Sequence, residues 1–353
     1  MTYKWFIDET EWRLNHLYGS AEGRAIAVRL LQHFCGISTY EHLVEPYGAI
    51  AEEYFAPLQS AVQQLAAARP LQYIIDCQEF LGREFFVKEG VLIPRPETEE
   101  LVQWVLEYVK KKEYVKQKGC AEKNKSKEVN TDWLANNSSG QKITIIDACC
   151  GSGAIAVSLA ASLPSAEIYA FDLSEKALEV IRRNCQLLLT DPSQVNTFKF
   201  DLLSIGDNKL YEEHSEIRSD SDNKDRSYGD KTALYVGDPL TNNNMQQVYG
   251  QVDIIVSNPP YVANSEKAAM RQNVVDYEPQ EALFVPDDNP LIFYKTLQRF
   301  ASQHLKQGGV IFLEINERFG AETAAIFKKA GYATVDIRQD IFGKDRMVMA
   351  VNA

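Results

Sequence analysis

The chain has 353 residues, 45% of them apolar and 24% charged, and a formal net charge of −12. That length exceeds the needs of one compact α/β domain, so two domains, or one with appendages, are expected. The acidic balance argues against sequence-blind binding to a phosphate backbone, which draws its affinity from Lys and Arg, and no stable nucleic-acid binding is expected.

The first residues, Met1 to Glu9, lack a basic-then-apolar pattern and read as no signal peptide. Residues 1–75 read as helical. Ala21–Phe34 carries Ala25, Val28, Leu31 and Phe34, and Ile50–Ala68 continues in Ala, Gln and Leu until Arg69-Pro70 stops it. This segment holds fewer Lys and Arg than Asp and Glu, which suits a small recognition domain better than a DNA-binding one. Phe80–Ile93 changes period around Leu81-Gly82-Arg83 and Glu89-Gly90, predicting a β-hairpin that connects two domains. Pro94-Arg95-Pro96-Glu97-Thr98 then ends the strand, and a helix through Glu99–Tyr108 is expected with Thr98 as its cap. Residues 76–109 form this linker.

From about Ile143 strands and helices alternate, the mark of a doubly wound parallel sheet. Strands are predicted at Ile143–Asp147, Glu167–Phe171, Thr197–Asp201, Val252–Ser257, Val310–Ile315, Tyr332–Arg338 and Met347–Val351, with helices at Gly153–Ser162, Ser174–Leu189 and Ala321–Ala330. The longest apolar stretch, Thr144 to Leu163, contains Asp147 and a Gly-Ser-Gly turn, so it reads as strand, turn and helix rather than a membrane span. Two polar stretches, 110–142 and 205–250, lack apolar periodicity and read as surface insertions within and before a catalytic domain spanning 143–353. The six cysteines show no CxxC spacing, so neither a disulfide framework nor a metal site is expected, and a reducing cytoplasm fits. The five scattered histidines read as surface or core residues.

Three motifs carry chemistry. Asp147-Ala148-Cys149-Cys150-Gly151-Ser152-Gly153 follows a strand and opens a helix, where glycines let backbone approach a ligand at the carboxyl edge of a sheet. Asp172 ends the next strand about 20 residues beyond the glycine turn, where a carboxylate binds ribose hydroxyls; its alternative role is helix N-cap. The incomplete GxGxxG counts against a dinucleotide. The third motif, Asn258-Pro259-Pro260-Tyr261, follows the apolar strand Val252–Ser257. This tetrapeptide resembles the signature of methyltransferases that act on planar amide or amino nitrogens, and an amide nitrogen is a poor nucleophile because its lone pair is delocalised. The Asn258 side-chain oxygen and the Pro259 carbonyl can accept both of its N–H hydrogens and orient it, on a loop stiffened by proline, with Tyr261 against the planar group. No general base is needed before methyl transfer.

The sequence resembles the HemK/PrmC family of protein-glutamine N5-methyltransferases. The likeness lies in Pro70-Leu71-Gln72-Tyr73-Ile74, in Val91 to Val102 with its Ile93-Pro94-Arg95-Pro96-Glu97-Thr98 core, and in Ser257–Tyr261. It continues through Tyr277-Glu278-Pro279, Ala282-Leu283, Leu291–Tyr294, Gly308-Gly309, Glu314-Ile315 and Gly343–Arg346, in the family's order. The resemblance implies a class I S-adenosylmethionine-dependent methyltransferase fold, a Rossmann-like, mostly parallel seven-stranded α/β sheet, with a small all-α N-terminal domain and a β-hairpin linker. It implies that Asp147, Cys149, Cys150, Gly151, Ser152 and Gly153 wrap the methionine part of S-adenosylmethionine, Asp172 its ribose, and Asp201-Leu202 the adenine. Asn258–Tyr261 would clamp the glutamine of a Gly-Gly-Gln loop in peptide chain release factors, with Arg95 and Glu97 near the substrate entrance, in a monomeric cytoplasmic enzyme whose other product is S-adenosylhomocysteine.

Two departures stand out. Cys149 and Cys150 occupy positions where the family's glycine turn has Gly and Thr, which narrows the site if the Cβ of Cys149 intrudes. The second insertion also leaves Asp238 as a second candidate beside Asp201 for the adenine-side carboxylate. Alternatives are a glutamine methyltransferase of a ribosomal protein, an adenine-N6 DNA methyltransferase acting on a flipped base, and a binding module that has lost its cofactor.

Overall fold

The computed structural model describes residues 1–123, 142–206 and 252–353. The insertion at 205–250, with Asp238, falls outside the described residues except for its first two positions, and so does 124–141 of the first insertion.

Helix α1 (Tyr3–Cys35) opens with Thr2, whose hydroxyl accepts from Trp5 N–H, and closes on Gly36 at φ 67. It begins well before the expected Ala21, and Gly19 at φ 75 breaks its path without ending it. Phe6, Ile7, Leu14, Ile26, Leu30 and Leu31 form its buried stripe. With α2 (Glu41–Val44), α3 (Phe55–Ala66) and α4 (Leu71–Ile74) it encloses a separate apolar cluster around Leu14, Leu30, Leu58 and Leu65.

The hairpin pairs β1 (Cys77–Phe80) with β2 (Arg83–Phe86), three residues earlier than expected. Leu81 and Gly82, at φ 48 and φ 71, form the two-residue turn that matches strand twist. Helix α5 runs Pro96–Lys123, correcting the expected Glu99–Tyr108. Its polar extension has good helix formers but no apolar stripe, so propensity extends what periodicity did not mark. Thr98 consequently lies inside the first turn and is not the cap.

The sheet is built from β3 (Thr144–Ala148), β4 (Glu167–Asp172), β5 (Val195–Lys199), β6 (Val252–Ser257), β9 (Leu305–Glu314), β10 (Thr334–Gln339) and β11 (Asp345–Val351). Its order is β10-β11-β9-β6-β3-β4-β5. β3, β4, β5, β6 and β9 are parallel, while β11 runs antiparallel to both β9 and β10. On one face pack α5, α6 (Ala154–Ser162) and α7 (Glu175–Leu188), enclosing Phe80 and Phe85 of the hairpin. On the other pack α10 (Ile292–His304) and α11 (Gly320–Lys329). Between β6 and α10 the chain forms the short pair β7 (Val262–Ala263) and β8 (Phe284–Val285), with α8 (Gln272–Tyr277) and α9 (Gln280–Leu283). Helix α10 was not anticipated, although Tyr294, Leu297, Phe300 and Ala301 follow helical spacing. His304 is a core histidine, its ring stacked 4.0 Å from Phe300. Among the described residues no helix is long and apolar enough to cross a membrane.

Candidate active site

A cavity of about 330 Å³ opens at the carboxyl ends of β3, β4 and β6. The strand order reverses there between β3 and β6, the place where open α/β sheets bind ligands. Its floor is the turn after β3. Cys150 N–H donates to the Phe171 carbonyl at 3.0 Å, and Gly153 N–H donates back to Cys150 at 2.8 Å. Gly151, at φ +52, has open space where a Cβ would stand, so bare backbone faces the cavity. Gly153, at φ +79, is packed so closely that a Cβ would lie 2.3 Å from Ile181.

Asp172 lies across from this turn. One carboxylate oxygen accepts from Gly151 N–H and the other from Ser174 N–H, both at 2.9 Å. The helix cap of α7 is Ser174, whose hydroxyl accepts from Ala177 N–H, so Asp172 is free of the capping role and lines the cavity. Burial pushes its carboxyl above the usual range, and the two backbone N–H groups oppose that rise. Such a carboxylate retains lone pairs with which to accept from paired hydroxyls. Beyond it, Val91, Phe200, Leu202 and Leu203 form an apolar slot. Asp201 lines the same end, past the end of β5 rather than within it, and accepts from Leu203 N–H at 2.9 Å.

Cys149 also lines the cavity. It adopts φ 59, a left-handed conformation that costs a non-glycine residue roughly 1–2 kcal/mol. Burial, reinforced by Asp172, pushes its thiol well above the ordinary value, which keeps it protonated and unreactive. Cys150, Ser152 and Gly153 sit beneath the turn and do not line the cavity. Asp147 is fully buried and supports the turn by accepting from Ala156 N–H at 3.0 Å, while its other oxygen has no partner. Burial raises its pKa well above the normal carboxylate range. The folded state therefore holds this proton more tightly than the unfolded chain does. The resulting stabilisation is present below about pH 4 and is lost as pH rises through the folded value. Asp147→Asn is expected to gain on the wild type in melting temperature as pH is raised from 4 to 8; a difference constant across that range contradicts this account.

At the cavity mouth stand Asn258 and Pro260. Ser257, before them, donates to the Ala148 carbonyl at 2.6 Å and so locks the end of β6 to that of β3. The Asn258 amide NH₂ donates to Thr98 Oγ1 at 3.1 Å. Thr98 in turn donates to Glu314 at 2.6 Å, and Tyr261 OH donates to the other Glu314 oxygen at 2.9 Å. The Tyr261 carbonyl accepts from the Asn316 side chain at 3.2 Å. Pro259 and Tyr261 do not line the cavity.

The linker forms one wall through Val91 and Leu92. It is held by Glu278, which accepts from Ile93 N–H at 3.2 Å and from the Arg95 guanidinium at 2.6 Å. Arg95 is thus engaged in an ion pair, and Glu97 is half-buried near Glu314; neither lines the cavity. Tyr73 donates to the Val91 carbonyl at 2.6 Å, tying α4 to the same wall. On the far side, buried Asn184 accepts from Phe86 N–H at 2.8 Å and donates to Ser152 O at 2.9 Å, joining the hairpin to the glycine turn.

From the sequence Thr98 has only a capping role, Glu278 and Glu314 only a place in the family motifs, and Asn184 none. The available signal was polarity in an apolar setting: Asn184 on the buried stripe of α7, and Glu314 after Val310-Ile311-Phe312-Leu313.

The family model described as the PrmC N-terminal domain matches residues 9–75, and one described as a methyltransferase domain matches residues 145–209. The release factor glutamine methyltransferase of Flavobacterium psychrophilum is 33% identical over 290 residues, covering 82% of this chain and 78% of that protein. That of Bacteroides thetaiotaomicron is 31% identical over 337 residues, covering 96% and 95%. The chain belongs to the release factor glutamine methyltransferase family. It is a methyltransferase with the class I fold, and the seven-stranded sheet with its single antiparallel turnback at β11 is the architecture the resemblance implied. Within this family's framework, the segments Ile93–Thr98, Asn258–Tyr261, Tyr277–Pro279 and Glu314-Ile315 converge on one region: Glu278 ties its own segment to Ile93–Thr98, and Glu314 ties its own to both Ile93–Thr98 and Asn258–Tyr261.

Proposed function

We propose that this protein transfers a methyl group from S-adenosylmethionine to the side-chain amide nitrogen, N5, of the glutamine in the Gly-Gly-Gln motif of peptide chain release factors. The observation that carries the reading is the placement of Asn258 and Pro260 at the mouth of the cavity that Asp172 and Gly151 floor. The residues suit this cofactor. Asp172 offers acceptors for ribose hydroxyls, the slot of Val91, Phe200, Leu202 and Leu203 accommodates a flat aromatic base, and the open side of Gly151 admits the amino-acid end. When bound, S-adenosylmethionine supplies an electrophilic methyl group on a sulfonium centre.

In this reading the chain's own residues do the rest. The Asn258 side-chain oxygen and the Pro259 carbonyl accept the two N–H hydrogens of the substrate amide, orienting the nitrogen and favouring localisation of its lone pair as the bond forms. Proline at 259 and 260 removes backbone donors and stiffens the loop, so the acceptors stand in place beforehand. Tyr261, held by Glu314, fixes the loop's far end. The proton leaves to solvent after transfer, so no side-chain base is required. Residues 1–75 serve to recognise the protein substrate, residues 76–109 link, and residues 143–353 hold the cofactor. Supporting that division, Trp12, Tyr40, Leu43, Val44 and Tyr47 leave large apolar surface exposed in the helical segment, as a protein-binding face does.

The test is methyl transfer from labelled S-adenosylmethionine to purified release factor, a ribosomal-protein fraction and duplex DNA in parallel, with mass spectrometry of the product. The expected result is a single methyl on the Gly-Gly-Gln glutamine. Label confined to ribosomal protein or DNA overturns the substrate assignment, and no label in any arm overturns the activity.

A further inference from the structure

We propose that Thr98 and Glu314 are positioning residues that set the direction of the Asn258 carboxamide, keeping its oxygen turned to the substrate. This rests on the functional reading above and adds to it a reason why Asn258 accepts rather than donates.

A carboxylate only accepts hydrogen bonds. Glu314 ends β9 and is 1% exposed, and its two oxygens lie 2.6 Å from the Thr98 hydroxyl and 2.9 Å from the Tyr261 hydroxyl. Thr98 and Tyr261 therefore each commit their only hydrogen to Glu314. Thr98 Oγ1 is left with lone pairs alone on the side of Asn258. The Asn258 group 3.1 Å away must then be its NH₂, because the opposite rotamer would set two acceptors face to face in a partly buried place. The carboxamide is planar, so its oxygen occupies the other branch, at the cavity mouth. A substrate amide held by its N–H hydrogens requires such an acceptor.

Protonation of Glu314 undoes this order. Once Glu314 carries a proton it can donate to Thr98, whose own hydrogen is released to point at Asn258, and the carboxamide loses its enforced direction. The ionisable groups facing Glu314 are Glu97 on α5, Tyr261 on the loop, Tyr294 on α10 and Arg346 on β11. Arg346 favours the ionised form and is itself held by Asp340 at 3.1 Å and Glu317 at 3.3 Å. Burial above all, with Glu97, favours the protonated form, the Thr98 and Tyr261 hydrogen bonds oppose it more strongly than Arg346 does, and the balance raises the Glu314 pKa above its ordinary value.

The experiment compares wild type, Thr98→Val, Thr98→Ser and Glu314→Gln in the full chain for kcat and KM on release factor, S-adenosylmethionine affinity and melting temperature, with kcat followed against pH. Valine preserves the shape of threonine and removes its hydroxyl. Thr98→Val is expected to lose roughly 10- to 100-fold in kcat, the scale of one buried hydrogen bond, with cofactor affinity unchanged. Thr98→Ser is expected to stay within about threefold of wild type, since it keeps the hydroxyl. Wild-type kcat falls on the acid side as Glu314 takes up its proton, and Glu314→Gln, slower overall, lacks that limb. Active wild type with an equally active Thr98→Val, equal losses in the Val and Ser variants, or an acid limb that persists in Glu314→Gln overturns the positioning role alone. Wild type that methylates no release factor overturns the functional reading and this inference with it.

Discussion

Asn258→Ala is expected to slow methyl transfer by about 10²–10³-fold, the loss typical of removing one preorganised group aimed at the reacting atom. S-adenosylmethionine affinity should change far less. Asn258 stands at the mouth of the cavity, whereas Asp172, Gly151 and the apolar slot form its body. The alanine variant also frees Thr98 of its partner without disturbing the Thr98–Glu314 bond, so the loop keeps its other anchors in Tyr261 and Asn316. Rapid-quench transfer assays and calorimetric titration of the cofactor separate the two quantities. Cofactor binding lost while the fold is preserved would contradict this division of roles.

Gly153→Ala is expected to destabilise the protein by about 2–5 kcal/mol. A left-handed conformation costs an L-residue roughly 1–2 kcal/mol, and forcing a methyl into a filled site adds about 1–3. The added carbon would lie 2.3 Å from Ile181 Cγ1, on the buried stripe of α7, where no solvent-exposed chain end can swing aside. Gly151→Ala provides the contrast. Its φ is also positive, but nothing lies within 4 Å of the new carbon. It should cost only the conformational part, about 1–2 kcal/mol, and weaken S-adenosylmethionine binding, because the methyl enters the cavity. Urea denaturation and cofactor titration of both variants check the pair. Equal stability losses would show that the turn does not divide into a packed glycine and an open one.

The contrast also explains why cysteine is accepted at 149. Its φ of 59 lies in the region where glycine is unstrained, so the backbone of the turn keeps the geometry of a glycine-rich loop. The side chain lines the cavity as a small, protonated, apolar group. The turn therefore retains its shape at the cost of some local strain and a slightly smaller cavity.

Much of the fold was legible because buried parallel strands are short apolar runs and amphipathic helices have a period. Val252–Ser257 falls where it was expected, and β3, β4 and β11 lie within two residues of expectation at each end. The hairpin turn at Leu81-Gly82 was visible, but its strands reach back to Cys77, since Val91 and Leu92 wall the cavity and Val87 and Ile93 pack against Tyr73 instead of pairing. The start of α1 was not placed within the helical first segment, although Phe6, Ile7 and Leu14 follow helical spacing, and the polar extension of α5 was missed because helical propensity, not an apolar stripe, carries it.

By itself, the sequence determined the parallel α/β sheet, the glycine turn, the carboxylate after the second strand, and the Asn-Pro-Pro-Tyr loop. Each of these is encoded within a few consecutive residues, by the backbone freedom of glycine, the rigidity of proline or the period of apolar side chains. Only the tertiary structure decided which polar groups meet. Asn258 and Thr98 are 160 positions apart, and Thr98 and Glu314 are 216 apart. Hydrogen-bond direction depends on what else each donor and acceptor touches, and local sequence holds no record of that. It took the folded sheet to bring Thr98, by sequence a helix cap, against Asn258, and to set a lone glutamate at the end of β9 between Thr98 and Tyr261.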